Sequence, residues 1–187
     1  MKVYIIGTGL IGGSFALDIQ QEYPEAIIYG VDLNSQHIKE ALECGVIHEE
    51  ASFEDLQNAE VVFLTIPVDV ALSVLPKVLD IIQDNALVID VGSTKQRICE
   101  VVKEHPKRRN FLAAHPIAGT EFSGPKAALR GLYKQKTNII CEVEKTAFKL
   151  HHTPAICKKN YLDPKLINYY EKKEKDFFNF FNDDKDI

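Results

Sequence analysis

The sequence has no tryptophan, one methionine and four cysteines in 187 residues, and these scarcities exclude several classes of protein. No two cysteines form a Cys-x-x-Cys pair, so neither a zinc knuckle nor a redox dithiol is expected. The basic residues are also too few, because 22 Lys and Arg stand against 27 Asp and Glu. Binding to nucleic acid or to an anionic membrane requires a clustered basic excess. We therefore expect neither partner.

Long apolar runs are missing as well. A membrane-spanning helix needs about 20 consecutive apolar residues, and no run approaches that length. The first residues lead directly into a short apolar strand pattern, without the basic and then apolar segment of a secretory leader. These patterns predict a cytoplasmic protein with a hydrophobic core that needs no disulfide or structural metal.

Short apolar runs alternate with helical patterns over residues 1–143. The runs are continuous rather than alternating, which is typical of strands buried on both faces of a parallel sheet. The pattern predicts an α/β fold of the Rossmann type, a doubly wound and mostly parallel sheet. The predicted strands are 3–6, 26–31, 61–66, 86–90, 111–114 and 137–143, and the predicted helices are 10–22, 35–44, 68–83 and 94–104.

The composition changes in residues 144–187. All ten glycines lie at or before Gly131, whereas residues 151–187 contain seven Lys, seven Asp or Glu and seven of the 17 aromatic residues. This tail is too hydrophobic for simple disorder to be assumed. A short helix over 163–181, with Pro164 in its first turn, is the structure we expect for it. We therefore divide the chain into a dinucleotide-binding domain at 1–143 and a divergent tail at 144–187.

A glycine motif follows the first predicted strand and opens the first helix, which is the context that makes a G-x-G-x-x-G pattern informative. Gly7 suits the tight turn, Gly9 lets the backbone approach a pyrophosphate, and Gly12 allows close packing of helix on strand. A glycine-rich turn without a ligand is the alternative. The predicted cofactor-binding residues here are Gly7, Thr8, Gly9, Leu10, Ile11 and Gly12.

An acidic residue, Asp32, ends the second predicted strand 20 residues after Gly12. A carboxylate at this place accepts hydrogen bonds from the adenosine ribose and repels a 2′-phosphate, so NAD is preferred over NADP. Helix capping or a turn is the alternative role for Asp32. His37 and Lys39 lie near enough in sequence to keep NADP open.

Polar residues also follow the later strands. Ligands of open parallel sheets bind beyond the carboxyl ends of the strands, so Thr65, Pro67 and Asp90 are further candidates for cofactor binding. Ser93 comes shortly after Asp90 and, with Thr94, could instead cap the next helix. Asp90 could instead form a turn.

His115 ends an apolar run and is followed by Pro116 and a glycine-containing loop. A neutral imidazole at a strand end beside a nicotinamide site is suited to accept a substrate proton during hydride transfer. Ser93, on a neighbouring strand end, could hydrogen-bond the other ring nitrogen and fix its tautomer. A structural histidine is the alternative.

Three segments together resemble the prephenate dehydrogenase family over about residues 1–143. They are Gly7-Thr8-Gly9-Leu10-Ile11-Gly12-Gly13-Ser14, Asp90-Val91-Gly92-Ser93-Thr94-Lys95 and His115-Pro116-Ile117-Ala118-Gly119-Thr120-Glu121, the last followed by Ser123-Gly124-Pro125. The His115 block is the most specific of the three.

The resemblance implies oxidative decarboxylation of prephenate to 4-hydroxyphenylpyruvate in tyrosine biosynthesis, with hydride transfer to NAD or NADP. It implies that His115 takes the proton of the ring hydroxyl and that Ser93 orients His115. It also implies that Thr120 and Glu121 line the substrate pocket. No metal is required, and the pair His151 and His152 with Cys157 is weak support for one.

The tail departs from the family, whose members continue into a helical domain that dimerises and completes the pocket. A shortened or frameshifted product and a genuinely short protein that dimerises through its tail are both open explanations. Arg97, Arg108, Arg109 and Arg130 are the only arginines available for substrate carboxylates, and we expect Arg108 and Arg109 to be solvated. There are three alternative functions: a dehydrogenase that acts on arogenate, a non-catalytic dinucleotide-binding module, and a related hydroxyacid or imine reductase.

Overall fold

The computed structural model describes residues 1–134 and 136–141, which form a sheet of strand order β3-β2-β1-β4-β5-β6-β7. Neighbouring strands are parallel except β6 and β7, which are antiparallel. The strand order reverses beside β1, between β2 and β4, and this switch point is where open α/β sheets bind their ligands. The strands are β1 (Lys2–Ile6), β2 (Ile27–Val31), β3 (Glu49–Glu50), β4 (Val61–Leu64), β5 (Leu87–Asp90), β6 (Phe111–Pro116) and β7 (Asn138–Cys141).

Helices cover both faces of the sheet, as the continuous apolar runs require. They are α1 (Leu10–Glu22), α2 (Ser35–Glu43), α3 (Val68–Ile81) and α4 (Gln96–Val101). One core cluster joins one face of the sheet to α1 and α2, with Ile5, Phe15 and Phe63 at its centre. The other joins the opposite face to α3 and α4 around Leu75 and Ile98. The Rossmann-type fold predicted from the sequence is confirmed.

The main differences between the sequence predictions and the structure concern β3, α4 and β7. Strand β3 escaped prediction because it is only two exposed glutamates, Glu49 and Glu50, which carry no apolar pattern. The helix predicted at 94–104 is shorter, since α4 occupies only Gln96–Val101. Strand β7 covers Asn138–Cys141, so Thr137 precedes it, and residues 142–143 of the predicted strand lie outside the described residues, as does the helix predicted at 163–181.

After β6 the chain returns across the first helix before it enters β7. We call residues 125–133 the cover segment. It begins with a 3-10 turn at Pro125–Ala127 and packs against the N-terminal half of α1. The Tyr133 ring stacks on Phe15 of α1, with 3.9 Å between ring centroids. The cover segment therefore joins the loop that follows β6 to the helix that follows β1.

Arg108 is a further difference from expectation. Arg109 is exposed, as predicted, but Arg108 is only partly exposed, donates a hydrogen bond of 3.0 Å to the carbonyl of Phe111, and lies over the Phe111 ring. Burial lowers the pKa of this guanidinium. It supports the amino end of β6 rather than facing solvent.

Within residues 1–134 and 136–141, no helix is long and apolar enough to cross a membrane.

Candidate functional site

The glycine turn lies at the switch point, where β1 ends beside β4. Gly7 has a φ of +94°, a backbone conformation that side chains other than glycine rarely adopt. The Thr65 hydroxyl, just after β4, donates to the carbonyl of Gly7 over 2.6 Å and to that of Ile6 over 2.9 Å. Thr65 therefore holds the turn in place from the neighbouring strand.

Gly9 and Gly12 have opposite surroundings. A Cβ at Gly12 would stand 2.2 Å from the Gly7 carbonyl oxygen, so only glycine lets α1 approach the turn this closely. At Gly9 a Cβ would meet nothing within 4 Å. Gly9 is the N-cap of α1, and no side chain of the described residues caps that helix end. The free amides and the positive end of the helix dipole face open space, which suits a pyrophosphate.

Asp32, just beyond β2, is held by three donors. Its Oδ2 accepts hydrogen bonds from the Thr8 amide at 2.9 Å and the Thr8 hydroxyl at 3.1 Å, and its Oδ1 accepts one from the Asn34 amide at 2.9 Å. Partial burial alone would raise the pKa of this carboxyl. The bonds from Asn34 and Thr8, with His37 at 3.5 Å, outweigh burial and lower the pKa. The carboxylate is therefore ionised at neutral pH.

Thr8 has a role that the motif alone did not reveal. Its side chain is fully buried, and both its amide and its hydroxyl point to Asp32. The second residue of the glycine motif thus orients the acidic residue at the end of the second strand. A threonine inside a glycine motif is a weak signal, so its partner could be found only from the structure.

The carboxyl ends of the parallel strands form one edge of the sheet, which we call the rim. The remaining predicted cofactor residues lie along it. Leu10 is buried and Ile11 is partly buried in the first turn of α1. Pro67 is the exposed N-cap of α3. Asp90 ends β5, is 1% exposed, and forms an ion pair with Lys95.

His115 lies near this ion pair. Asp90 pairs in register with Ala113, and His115 follows two residues later, so Asp90 and His115 lie on the same face of the sheet. Burial and the Lys95 ammonium both lower the pKa of His115, and Asp90 opposes them only in part. The imidazole is therefore neutral at neutral pH and able to accept a proton. Lys95 belongs to the segment that follows β5 in the sequence, but its electrostatic effect on His115 depends on the fold.

Ser93 is exposed and follows β5 on the same rim. Within the described residues no hydrogen bond joins Ser93 to His115. The alternative role as a helix cap is not observed either, because α4 begins at Gln96 with Lys95 as N-cap and has no side-chain cap. Ser93 is thus a free hydroxyl at a strand end, among the residues that the structure describes.

Thr120 and Glu121 are also exposed, in the loop between β6 and the cover segment. The Thr120 hydroxyl accepts a hydrogen bond of 3.2 Å from the Phe122 amide. They border an open groove of about 780 Å³, whose lining includes Phe122, Ser123, Lys126 and Leu129. No group of three His, Cys, Asp or Glu side chains within residues 1–134 and 136–141 is placed to hold a metal ion. His151, His152 and Cys157 lie outside that range.

Fold and site together define a dinucleotide-binding α/β protein. Comparison with known families identifies which family it belongs to. The family model described as "Prephenate dehydrogenase, nucleotide-binding domain" matches residues 15–156. The chain therefore belongs to the prephenate dehydrogenase family and carries its nucleotide-binding domain.

Similar proteins agree with this assignment. The prephenate dehydrogenase of Bacillus subtilis (strain 168) is 34% identical over 148 residues, which are 77% of this chain and 40% of that protein. The prephenate dehydrogenase of Lactococcus lactis is 33% identical over 75% of this chain and 41% of that protein. The chain spans about two-fifths of the length of these two relatives.

Solved structures give the same result. Prephenate dehydrogenase from A. aeolicus in complex with hydroxyphenyl propionate and NAD+ is 30% identical, with a TM-score of 0.71 over 90% of this chain and 62% of that one. Synechocystis arogenate dehydrogenase is 28% identical, with a TM-score of 0.69 over 80% of this chain and 54% of that one.

Proposed function

We propose that this protein is an NAD-dependent prephenate dehydrogenase of tyrosine biosynthesis that acts in the cytoplasm. The observation that carries the proposal is the position of His115. It is the penultimate residue of β6, at the same edge of the sheet as the glycine turn, and burial and the Lys95 ammonium lower its pKa, which keeps the imidazole neutral and able to act as a base. The chain belongs to the prephenate dehydrogenase family, and this membership supports prephenate oxidation as the reaction in which His115 acts.

The glycine turn and the first turn of α1 are the proposed cofactor site. The open space at Gly9 and the uncapped end of α1 fit the pyrophosphate of a dinucleotide. The residues that would hold it are Gly7, Thr8, Gly9, Leu10, Ile11, Gly12, Asp32, Thr65, Pro67 and Asp90. When bound, NAD+ supplies the hydride acceptor, which is the one component that side chains cannot provide.

The preference for NAD over NADP is supported by Asp32. Three donors of the protein already bind its ionised carboxylate, two at Oδ2 and one at Oδ1, so Oδ1 retains a lone pair for a ribose hydroxyl. The same negative charge would repel a 2′-phosphate. His37 at 3.5 Å is the nearby group that would weaken this repulsion if it were protonated.

His115 is the proposed general base. Prephenate becomes 4-hydroxyphenylpyruvate when the ring carbon that bears the hydroxyl gives up a hydride and the ring carboxylate leaves as CO₂. The oxygen takes carbonyl character as the hydride leaves, so its proton passes to the neutral imidazole nitrogen of His115. His115 returns that proton to the oxygen as the ring becomes aromatic. Aromatisation drives the reaction, and the protein supplies alignment and a proton acceptor.

The substrate is proposed to contact the rim between Ser93 and the groove. Ser93 has an exposed hydroxyl able to bind His115 or the substrate oxygen. Thr120 and Glu121 are exposed where the chain leaves β6 and border the open groove, which suits contact with a polar ligand. We also propose that the protein acts as a homodimer.

Two alternatives have specific support. Arogenate, the amino analogue, is a candidate because one of the similar structures is an arogenate dehydrogenase. A dinucleotide-binding module without turnover is the second, because the family model that matches this chain is that of the nucleotide-binding domain.

The test is NADH formation, followed by absorbance, from purified protein, NAD+ and either prephenate or arogenate, with NAD+ binding measured by calorimetry on the same sample. Turnover with prephenate supports the proposal. Faster turnover with arogenate would identify arogenate, rather than prephenate, as the substrate. Binding without turnover of either compound favours the non-catalytic module. Absence of both would contradict the proposed cofactor site.

A further inference from the structure

The cover segment is hydrogen-bonded to the helix turn that forms the proposed cofactor site. Ser14, in α1, is fully buried, and its hydroxyl donates to the carbonyl of Leu10 over 2.7 Å. The same oxygen accepts a hydrogen bond of 3.0 Å from the amide of Leu129 in the cover segment. One hydroxyl thus links the first residue of α1 to a residue that lines the groove.

Tyr133 makes a second link from the other end of the cover segment. Its hydroxyl donates to the carbonyl of Ile11 over 2.8 Å, and its ring stacks on Phe15. Burial raises the pKa of this phenol, with the Asp18 charge acting in the same direction, so Tyr133 remains a hydrogen-bond donor. Both links end on carbonyls of the first turn of α1.

Shape complementarity brings these groups together. A Cβ at Gly13 would stand 2.7 Å from the Cβ of Ala128, so glycine at this position lets the cover segment lie directly on the helix. The amide of Gly131 donates to Asp18, further along the same helix, over 2.5 Å. Gly13 is therefore used for packing, whereas Gly9, one turn earlier, leaves open space.

We infer that Ser14 and Tyr133 are positioning residues that couple dinucleotide binding at the first turn of α1 to the order of the groove-lining cover segment. The inference rests on the proposed cofactor site. A pyrophosphate bound to the helix amides restrains the first turn, and the two hydroxyl bonds pass that restraint to residues 125–133. Because such coupling is reciprocal, a ligand in the groove strengthens dinucleotide binding by the same factor.

Amide hydrogen exchange, measured by NMR with and without NAD+, tests this inference on the full chain. The informative amide is that of Gly131, because its acceptor, Asp18, is untouched by the variants below. In the wild type NAD+ should slow exchange at residues 7–12 and also, by several-fold, at Gly131. Ser14→Ala and Tyr133→Phe should retain the NAD+ effect at residues 7–12 and lose it at Gly131.

Ser73→Ala is the control, since the exposed Ser73 hydroxyl also bonds a backbone carbonyl of its own helix, that of Val70 in α3, which packs on the opposite face of the sheet from the cover segment. It should behave like the wild type. Tyr133→Phe keeps the ring that stacks on Phe15, so it tests the hydroxyl without removing the packing.

A second readout uses 3-(4-hydroxyphenyl)propionate as the groove probe. NAD+ should tighten its binding about fivefold or more in the wild type and leave it unchanged in Ser14→Ala. Protection at residues 7–12 without protection at Gly131 in the wild type would overturn the coupling alone. No protection at residues 7–12 would overturn the proposed cofactor site and the coupling with it.

Discussion

The rim around the glycine turn and the rim beyond β6 lie on one edge of the same sheet but are built differently. At the glycine turn Thr65 binds the backbone of Gly7, and Thr8 holds Asp32 through two donors. Beyond β6, Thr120 and Glu121 are exposed, and the large side chain of Phe122 is 66% exposed. The difference indicates that the first rim is shaped before any ligand arrives, whereas the second presents its groups to solvent.

His115 stands between the two rims, and its replacement is expected to have the largest effect. His115→Asn should lower turnover by about 10²–10⁴-fold, the usual contribution of a general base, because asparagine cannot accept the proton. NAD+ affinity, measured by calorimetry, should stay near the wild-type value. His105→Asn, at the opposite end of the sheet beside Asp80, is the control. Equal losses of turnover and NAD+ affinity would instead indicate a structural histidine.

The packed rim should be intolerant of added volume. Gly12→Ala places a methyl group 2.2 Å from the Gly7 carbonyl and should destabilise the protein by about 1–3 kcal/mol in denaturant unfolding. Gly119→Ala, whose Cβ would meet nothing within 4 Å, should change stability little. Similar stabilities of the two variants would mean that the turn is not packed as described.

The charge at Asp32 should decide which dinucleotide binds. Asp32→Asn should lower the ratio of NAD to NADP affinity about tenfold, since a hydrogen bond to an ionised group is lost and the repulsion of a 2′-phosphate is relieved. Asp55→Asn is the matched control, because Asp55 also accepts bonds from an amide and a hydroxyl, both of Ser52, away from the site. Unchanged selectivity in Asp32→Asn would refute its role.

The smallest expected effect concerns the pKa of His115. The Lys95 ammonium lowers that pKa, so Lys95→Met should raise it and move the acidic limb of the activity profile to higher pH. The imidazole proton resonance of His115 is assigned by its loss in His115→Asn. Its chemical shift, followed by NMR across a pH titration, gives the pKa without requiring turnover. A pKa that stays the same or falls would show that Lys95 does not act on His115.

Much of the fold could be predicted from the sequence because its signals are local. Continuous apolar runs predicted β1, β2, β4, β5 and β6, whereas β3 contains only two exposed glutamates and is defined by its pairing with β2. Gly7, Gly12 and Asp32 could be placed because a motif with known spacing carries them. The link from Thr8 to Asp32 and the link from Ser14 to Leu129, 115 residues apart, depend on long-range packing and could not be placed from the sequence.

The central claim is that a dinucleotide occupies the open space beside Gly9, and calorimetric titration with NAD+ of the wild type and Gly9→Ala tests it most directly. Because a Cβ at Gly9 touches no protein atom within 4 Å, the variant should fold, with only the small loss of stability that alanine causes at a helix N-cap. Its methyl group would lie where the pyrophosphate must approach the backbone, so NAD+ affinity should fall about tenfold or more. Equal affinity of the two proteins, or no binding by the wild type, would contradict the claim.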